Sequence, residues 1–304
     1  MGARVSRAVA VVGPTATGKS ALAVELAVEL GGEVINADAM QLYRGMDIGT
    51  AKVTAEETRG VPHHLLDVLD ITETASVAAY QRHARERMAT LLAAGKVPVL
   101  AGGSGLYVQA VLDDLRFPGT DPVVRARLDA EAELVGPELL HGRLATVDPI
   151  AAAAILPSNT RRIVRALEVI EITGQPFSAN LPKPGPARYG TVVIGVDRAV
   201  EELDARVDLR VERMFEAGLV DEVAALAGRG LRDGKTASRA LGYQQVLAAM
   251  DTDGDFEAAA SATAQATRRF VRKQRSWFRR DKRIEWFDGG EEHLADRVLS
   301  LLAK

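Results

Sequence analysis

The chain has 304 residues, with 38 Lys+Arg against 41 Asp+Glu for a formal net charge of −3, and is 47% hydrophobic and 26% charged. That composition belongs to a globular protein with a substantial core, and it excludes a uniformly basic nucleic-acid coat and a disordered chain alike. Cysteine is absent, which removes disulfide frameworks, thiolate metal sites and thiol nucleophiles together and leaves side-chain nitrogen and oxygen chemistry.

Residues 1–7 carry two arginines but run into a short apolar stretch closed by Gly13, so no signal-peptide core or cleavage site develops. No segment approaches the roughly 18–20 apolar residues of a membrane span, and the expected location is the cytoplasm. Ala8–Val12 is apolar and β-rich and reads as a buried strand, while Lys19–Leu30 has helical spacing and stops at Gly31-Gly32. Glu33–Ala37 reads as a second buried strand with Asp38 at its end. Val77–Ala94 follows as a helix and Val97–Ala101 as a third strand ending at Gly102-Gly103. Strands alternating with helices predict an α/β fold on a parallel sheet.

Beyond Phe117-Pro118-Gly119 the pattern changes. Asp121–Leu134, Pro137–Ala145, Pro149–Leu156 and Asn159–Thr173 all read as helices with no strand between them. This predicts an all-helical insertion over residues 118–187, set into a core made of residues 1–117 and 188–304. The insertion closes in a Pro-rich stretch, Pro176 to Pro186, after which Thr191–Asp197 returns to strand chemistry and Glu201 onward to helix.

Gly13-Pro14-Thr15-Ala16-Thr17-Gly18-Lys19-Ser20 fits the P-loop pattern G-x-x-x-x-G-K-[ST] and lies where its mechanism requires, between a buried strand and a helix start. The glycines let successive backbone N–H groups converge on phosphate oxygens at the positive end of a helix dipole, Lys19 adds a point charge, and the Ser20 hydroxyl suits Mg²⁺. A ligand with a pyrophosphate group follows. The third strand ends in Ala-Gly-Gly where an NTPase would carry a magnesium-binding acid, and no Asn-Lys-x-Asp guanine motif occurs. The carboxylate that does stand at a strand's carboxyl end is Asp38, where ligands of open α/β sheets bind. Its open roles are magnesium ligation, general base and helix cap. A small-molecule kinase with ATP on this loop and Asp38 as base toward a hydroxyl is the alternative reading.

The segment from Asn36 to Lys52, Asn-Ala-Asp-Ala-Met-Gln-Leu-Tyr-Arg-Gly-Met-Asp-Ile-Gly-Thr-Ala-Lys, resembles the most diagnostic stretch of the tRNA dimethylallyltransferases, also called isopentenyl-diphosphate:tRNA transferases. The P-loop is similar to that family's, and so are Pro62-His63-His64-Leu-Leu-Asp67, Gly102-Gly103-Ser104-Gly-Leu-Tyr107, Arg161–Val169, Leu241-Gly242-Tyr243 and Arg268-Arg269-Phe270 through Arg280. The resemblance spans nearly the whole chain. It implies a P-loop core with an inserted tRNA-binding helical domain, and transfer of a dimethylallyl group from dimethylallyl diphosphate to the exocyclic 6-amino group of the adenosine immediately 3′ of a tRNA anticodon. Diphosphate leaves, assisted by Mg²⁺. By position, Thr15, Lys19 and Ser20 would hold the diphosphate and its Mg²⁺, and Asp38 would be the general base. Asp38, Ala39, Met40 and Gln41 would meet the flipped adenine, with Ser104 at the reaction centre. Arg125, Arg161, Arg162, Ile163, Val164 and Arg165 would bind tRNA, together with Ser238, Arg239, Ala240, Leu241, Gly242 and Tyr243. The family usually has Thr at the place of Ser104 and commonly Ser at the place of Ala39; the first change keeps a hydroxyl and the second loses one.

The chemistry also stands without the resemblance. An aromatic amine is a poor nucleophile, and its attack on an allylic carbon needs proton removal and a stabilised leaving diphosphate. Arg206 and Arg210, four apart on the predicted helix Glu201–Ala217, are candidates for further charge on the diphosphate. A base stacked in an anticodon loop must be extruded, which calls for an extended positive surface. From Arg268 to Phe287 nine basic residues stand against two acidic ones. The arginines there are expected to face RNA, and the interleaved Phe270, Trp277, Phe278, Trp286 and Phe287 to be core. His63 and His64 are neighbours on an extended segment and point apart, so they are not expected to bind a metal; the resemblance puts them in a loop near the acceptor site. A long open face for tRNA suggests a monomer.

Overall fold

The computed structural model describes residues 8–180, 185–252 and 254–303; the readings of residues 1–7 and of the Pro-rich stretch at 181–184 lie outside the described residues. Val9–Val12 forms β1, buried along its whole length as suits a central strand covered on both faces. After the loop at 13–18 comes α1 (Lys19–Leu30), closed by Gly31 in the left-handed conformation at φ 62. β2 (Glu33–Asn36) leads into the segment that carries Asp38. β3 (His63–His64), α2 (Val77–Ala93), β4 (Pro98–Gly102) and α3 (Gly105–Leu112) follow.

The chain divides into two compact units: Met1–Leu112 with Pro186–Lys304, and Asp113–Gly185. The second begins and ends a few residues before the expected 118 and 187. It consists of α4 (Pro122–Val135), α5 (Pro137–Val147), α6 (Pro149–Ala154) and α7 (Thr160–Thr173), and holds no strand among the described residues. The starts are set by local chemistry: Asp121, Asp148 and Asn159 cap α4, α6 and α7 through their side chains, and prolines open α4, α5 and α6 where the missing N–H costs nothing. Leu128, Leu140, Leu144, Ile163 and Leu167 make this unit's own core.

The first unit resumes with β5 (Val192–Asp197), α8 (Val200–Glu216), α9 (Leu219–Ala227), α10 (Tyr243–Met250), α11 (Phe256–Phe278), β6 (Ile284–Asp288) and α12 (Leu294–Leu302). Its sheet is parallel throughout, in the order β3-β2-β4-β1-β5-β6. Two clusters sandwich it, one around Tyr80, Met88 and Leu100, the other around Leu22, Leu26 and Val99. Because every strand runs the same way, the P-loop, Asp38 and Ser104 all emerge at the carboxyl edge of adjacent strands. β3 and β6 are additions to the expected sheet. The two histidines therefore sit on an edge strand and not in a loop: His64 Nε2 bonds Glu33, the first residue of β2, and His63 Nδ1 bonds the Val61 carbonyl. No helix among the described residues is long and apolar enough to cross a membrane.

Candidate active site

Gly13 has φ 137, and a Cβ there would fall 2.2 Å from the Val196 carbonyl oxygen, so only glycine lets the chain leave β1 beside β5. The loop then turns through Ala16, a non-glycine residue at φ 66, into α1. Gly18 precedes α1 in a left-handed conformation with no side-chain cap, which leaves the positive end of the helix open to an anion. Thr17 is buried and its hydroxyl donates to the Pro14 carbonyl at 3.0 Å, bracing the turn from inside. Lys19 Nζ also donates to Pro14 O.

A cavity of about 770 Å³ opens at this edge of the sheet. Of the expected phosphate loop, Thr15, Ala16, Gly18, Lys19 and Ser20 line it, and they face Asp38, Ala39, Met40, Gln41 and Ser104. Arg206 and Arg210 line it from α8. Arg206 Nε donates to the Ala16 carbonyl at 2.7 Å, which ties α8 to the P-loop. Arg210 lies deep enough that burial lowers its pKa, opposed by the Asp38 charge. Burial, and then the Arg210 charge, bring the Lys19 amine down to about 7, with Asp38 pulling the other way. Three cationic groups thus converge where a diphosphate would carry its charge, with the Asp38 carboxylate beside them and Glu57 also on the cavity wall.

Asp38 is held by short-range bonds. Its N–H donates to Asn36 Oδ1 at 2.9 Å, its carbonyl accepts from Asn36 Nδ2 at 3.0 Å, and its Oδ1 accepts the Met40 N–H at 2.9 Å. The carboxylate thus bonds the first N–H of the short turn Met40–Leu42, whose N-cap is Ala39, as well as lining the cavity. Ser104 Oγ accepts the Ala39 N–H at 3.1 Å, so the hydroxyl positions the residue after Asp38 while its own proton stays available. Gln41 donates its amide to the carbonyls of Thr50 and Ala51, at 3.1 and 3.3 Å, closing the 41–51 loop over one side of the cavity.

Several expected tRNA contacts are placed otherwise. Arg239, Ala240 and Leu241 line the cavity, but the Ser238 hydroxyl is turned to Gly234 O and Gly242 begins α10 with its N–H on Gln245. Tyr243 has no solvent exposure and donates to Glu222, so it supports the site from beneath. In the insertion Ile163 and Val164 are wholly buried in its core, because they fall on the apolar face of α7. Arg125 and Arg165 both bind the fully buried Glu168, at 2.9 and 2.8 Å. Burial alone would raise that carboxyl's pKa, and the two arginines outweigh it and lower it. Arg161 and Arg162 remain exposed.

The basic run is less free than its sequence suggests. Arg268 and Arg272 pair with Asp208 and Asp204, Arg275 and Arg279 with Asp197, and Arg283 with Asp281. Arg269 and Lys273 instead line the cavity. Of the five aromatics expected in the core, Phe278 is buried there, but Phe270, Trp277 and Trp286 are 38–40% exposed. The reason is geometric: residues 271, 274 and 278 form the buried stripe of α11, and 270 and 277 fall beside it. Phe270 lines the cavity. Sequence reasoning missed Glu222 and Gln274, although a glutamine on the apolar stripe of a helix is a signal in itself.

A parallel sheet whose strand–glycine loop–helix cradle faces a carboxylate across one cavity defines an α/β protein of the P-loop class. Comparison with known proteins narrows this. The model of the IPP transferase family matches residues 41–281. A tRNA dimethylallyltransferase of Saccharopolyspora erythraea is 70% identical over 296 residues, 97% of this chain and 96% of that protein, and one of Streptomyces coelicolor is 66% identical over 292 residues, 96% and 92%. The crystal structure of a tRNA isopentenylpyrophosphate transferase from Bacillus halodurans superposes with a TM-score of 0.71 at 40% identity, covering 97% of this chain and 94% of that one. A eukaryotic dimethylallyltransferase acting on tRNA superposes with a TM-score of 0.83 at 25% identity, covering 97% and 77%. The chain belongs to the IPP transferase family.

Proposed function

We propose that the protein transfers a dimethylallyl group from dimethylallyl diphosphate to the exocyclic 6-amino group of the adenosine immediately 3′ of the anticodon in tRNA. The observation that carries this reading is the shared cavity: the P-loop with Lys19, Arg206 and Arg210 on one side and Asp38 on the other. In the reaction the amine nitrogen bonds to the allylic carbon as that carbon's bond to the diphosphate oxygen breaks. The electron pair leaves with diphosphate, which the cradle and the cations stabilise, and the amine proton passes to the Asp38 carboxylate. Ser104 keeps the Asp38 loop in register through Ala39.

The Ser20 hydroxyl on this cavity would be the chain's oxygen donor to Mg²⁺, and no cluster of three or more His, Asp or Glu among the described residues would hold a metal alone. Bound together with the substrate's phosphates, such an ion would supply charge neutralisation to the leaving group. Among the chain's own groups, the Arg269, Phe270 and Lys273 side of α11 would receive the acceptor loop, with charge for phosphate and a ring for base stacking.

The test is incubation with radiolabelled dimethylallyl diphosphate, Mg²⁺ and unmodified tRNA. Label should appear in the tRNA, and Asp38→Ala should lower turnover by about 10²–10⁴-fold with tRNA binding retained. Undiminished transfer by Asp38→Ala would remove the general base. Phosphate moving from labelled ATP to an acceptor, with no prenyl transfer, would replace this reading by a kinase.

A further inference from the structure

Gln274 is 5% exposed and lies on the buried stripe of α11 between Val271 and Phe278. An amide at such a position costs free energy unless its polar atoms are paired, and this one pairs with two separate motifs. Oε1 accepts the N–H of Thr15 at 3.0 Å, and Nε2 donates to the carbonyl of Gly103 at 2.9 Å. Since a backbone N–H only donates and a carbonyl only accepts, the two partners fix the orientation of the amide. Glycine at 103 is matched to it, for a Cβ there would fall 2.4 Å from Nε2.

The bonding continues beyond Gly103. The N–H of Ser104 donates to Ala37 O at 3.2 Å and its Oγ accepts the N–H of Ala39 at 3.1 Å, so the turn after β4 grips the chain on both sides of Asp38. A continuous path therefore runs from the P-loop to the base through a single side chain of α11. The same helix presents Arg269, Phe270 and Lys273 to the cavity.

We propose that Gln274 is a positioning residue for the transfer reaction, fixing the spacing between the diphosphate cradle and the Asp38 carboxylate through Thr15 and Gly103. This rests on the function proposed above. Carbon and nitrogen must meet at about 3–3.5 Å and in line, and a misplacement of about 1 Å costs about 10²-fold in rate. Gln274 also lines the cavity, but its Oε1 and Nε2 are engaged by the backbone of Thr15 and Gly103, so it acts on that alignment rather than by bonding a substrate. Residues 16–20 and the arginines still hold diphosphate without it, so its loss reads in kcat and not in KM.

Gln274→Met and Gln274→Glu are compared with the parent chain in steady-state transfer to unmodified tRNA, with binding of inorganic pyrophosphate and thermal unfolding measured alongside. Gln274→Met should lower kcat by about 10²-fold while both KM values and pyrophosphate affinity stay within about threefold. Gln274→Glu should be impaired at about pH 8, where an ionised carboxylate cannot donate to Gly103. Its kcat relative to the parent should recover toward about pH 6, where a buried carboxyl regains the proton it needs to donate. An unchanged kcat with only a lower melting temperature overturns the proposal, and so does a loss confined to the KM for dimethylallyl diphosphate. If Gln274→Met fails to fold, a pH-independent ratio for Gln274→Glu overturns it equally. No transfer by the parent chain overturns the proposed function and this role with it; a competent parent with competent variants overturns this role alone.

Discussion

The Tyr243 hydroxyl donates to Glu222 Oε1 at 2.5 Å, and the same carboxylate accepts the backbone N–H groups of Asp47, Ile48 and Gly49 at 3.0, 2.8 and 3.3 Å. Burial, and then the negative charge of Glu222, raise the pKa of the tyrosine, which stays a donor across the physiological range. One carboxylate thus joins α9, α10 and the loop whose Thr50 and Ala51 carbonyls hold Gln41 at the cavity. The contact and the full burial of Tyr243 give it a supporting place beneath that loop.

Tyr243→Phe should therefore act on stability. Losing one hydrogen bond to a half-buried carboxylate costs about 1.5–3 kcal/mol, read as a lower midpoint in urea unfolding. Affinity for tRNA in a filter-binding assay should stay within about twofold of the parent. Weaker tRNA binding at unchanged stability would return Tyr243 to the RNA surface.

Lys19 should couple diphosphate binding to proton uptake. Its amine titrates near 7 in the free protein, lowered by burial and by Arg210, so at about pH 8 it is mostly neutral. A bound diphosphate favours the charged form and raises the pKa, so the protein takes up a proton on binding above about pH 7. Below that value the amine is already charged and uptake fades. Calorimetry of pyrophosphate binding in buffers of different ionisation enthalpy measures this, with Lys19→Arg as the reference that carries its proton at every pH. Equal proton counts for the parent and Lys19→Arg at about pH 8 would refute the coupling.

The insertion's basic residues should separate into two groups. Arg161→Ala and Arg162→Ala remove exposed charges, and each should reduce the salt slope of tRNA binding by about one ion. Arg165 instead bonds buried Glu168 and the carbonyls of Pro118 and Gly119. Arg165→Ala should destabilise the chain by about 2–3 kcal/mol, because a buried carboxylate loses a charged donor. Full stability with a reduced salt slope would show Arg165 to be a phosphate contact after all.

How much of this was readable from the sequence depends on how local each signal is. The P-loop is eight contiguous residues between an apolar run and a helical pattern, and Asp38 ends the next apolar run, so both could be placed from spacing. Ser104 came only through resemblance, since its job is a bond to Ala39, 65 residues away. Gln274 and Glu222 act over still longer separations, 259 residues to Thr15 and 174 to Ile48, which no window along the chain contains. The pairing within the basic run was hidden for a related reason: the aspartates that engage Arg268, Arg272, Arg275 and Arg279 come from β5 and α8. β6 lay hidden in that run because an edge strand exposes half its residues and so lacks a continuous apolar signal.

Arg210 should prove the stronger of the two α8 arginines for the donor substrate. It is the more buried, and it acts electrostatically on both Lys19 and Asp38, whereas exposed Arg206 spends its Nε on the Ala16 carbonyl. A charged donor facing phosphate in a partly desolvated site contributes about 1.5–3 kcal/mol, so Arg210→Met should raise the KM for dimethylallyl diphosphate by about 10–100-fold. The same change removes the positive charge that holds the Lys19 pKa down. That pKa must then rise, and the proton uptake expected on binding at about pH 8 must shrink. Initial rates against dimethylallyl diphosphate, and calorimetry repeated on Arg210→Met, test the two effects separately. An unchanged KM would remove Arg210 from the diphosphate, and undiminished proton uptake would show that burial alone sets the Lys19 titration.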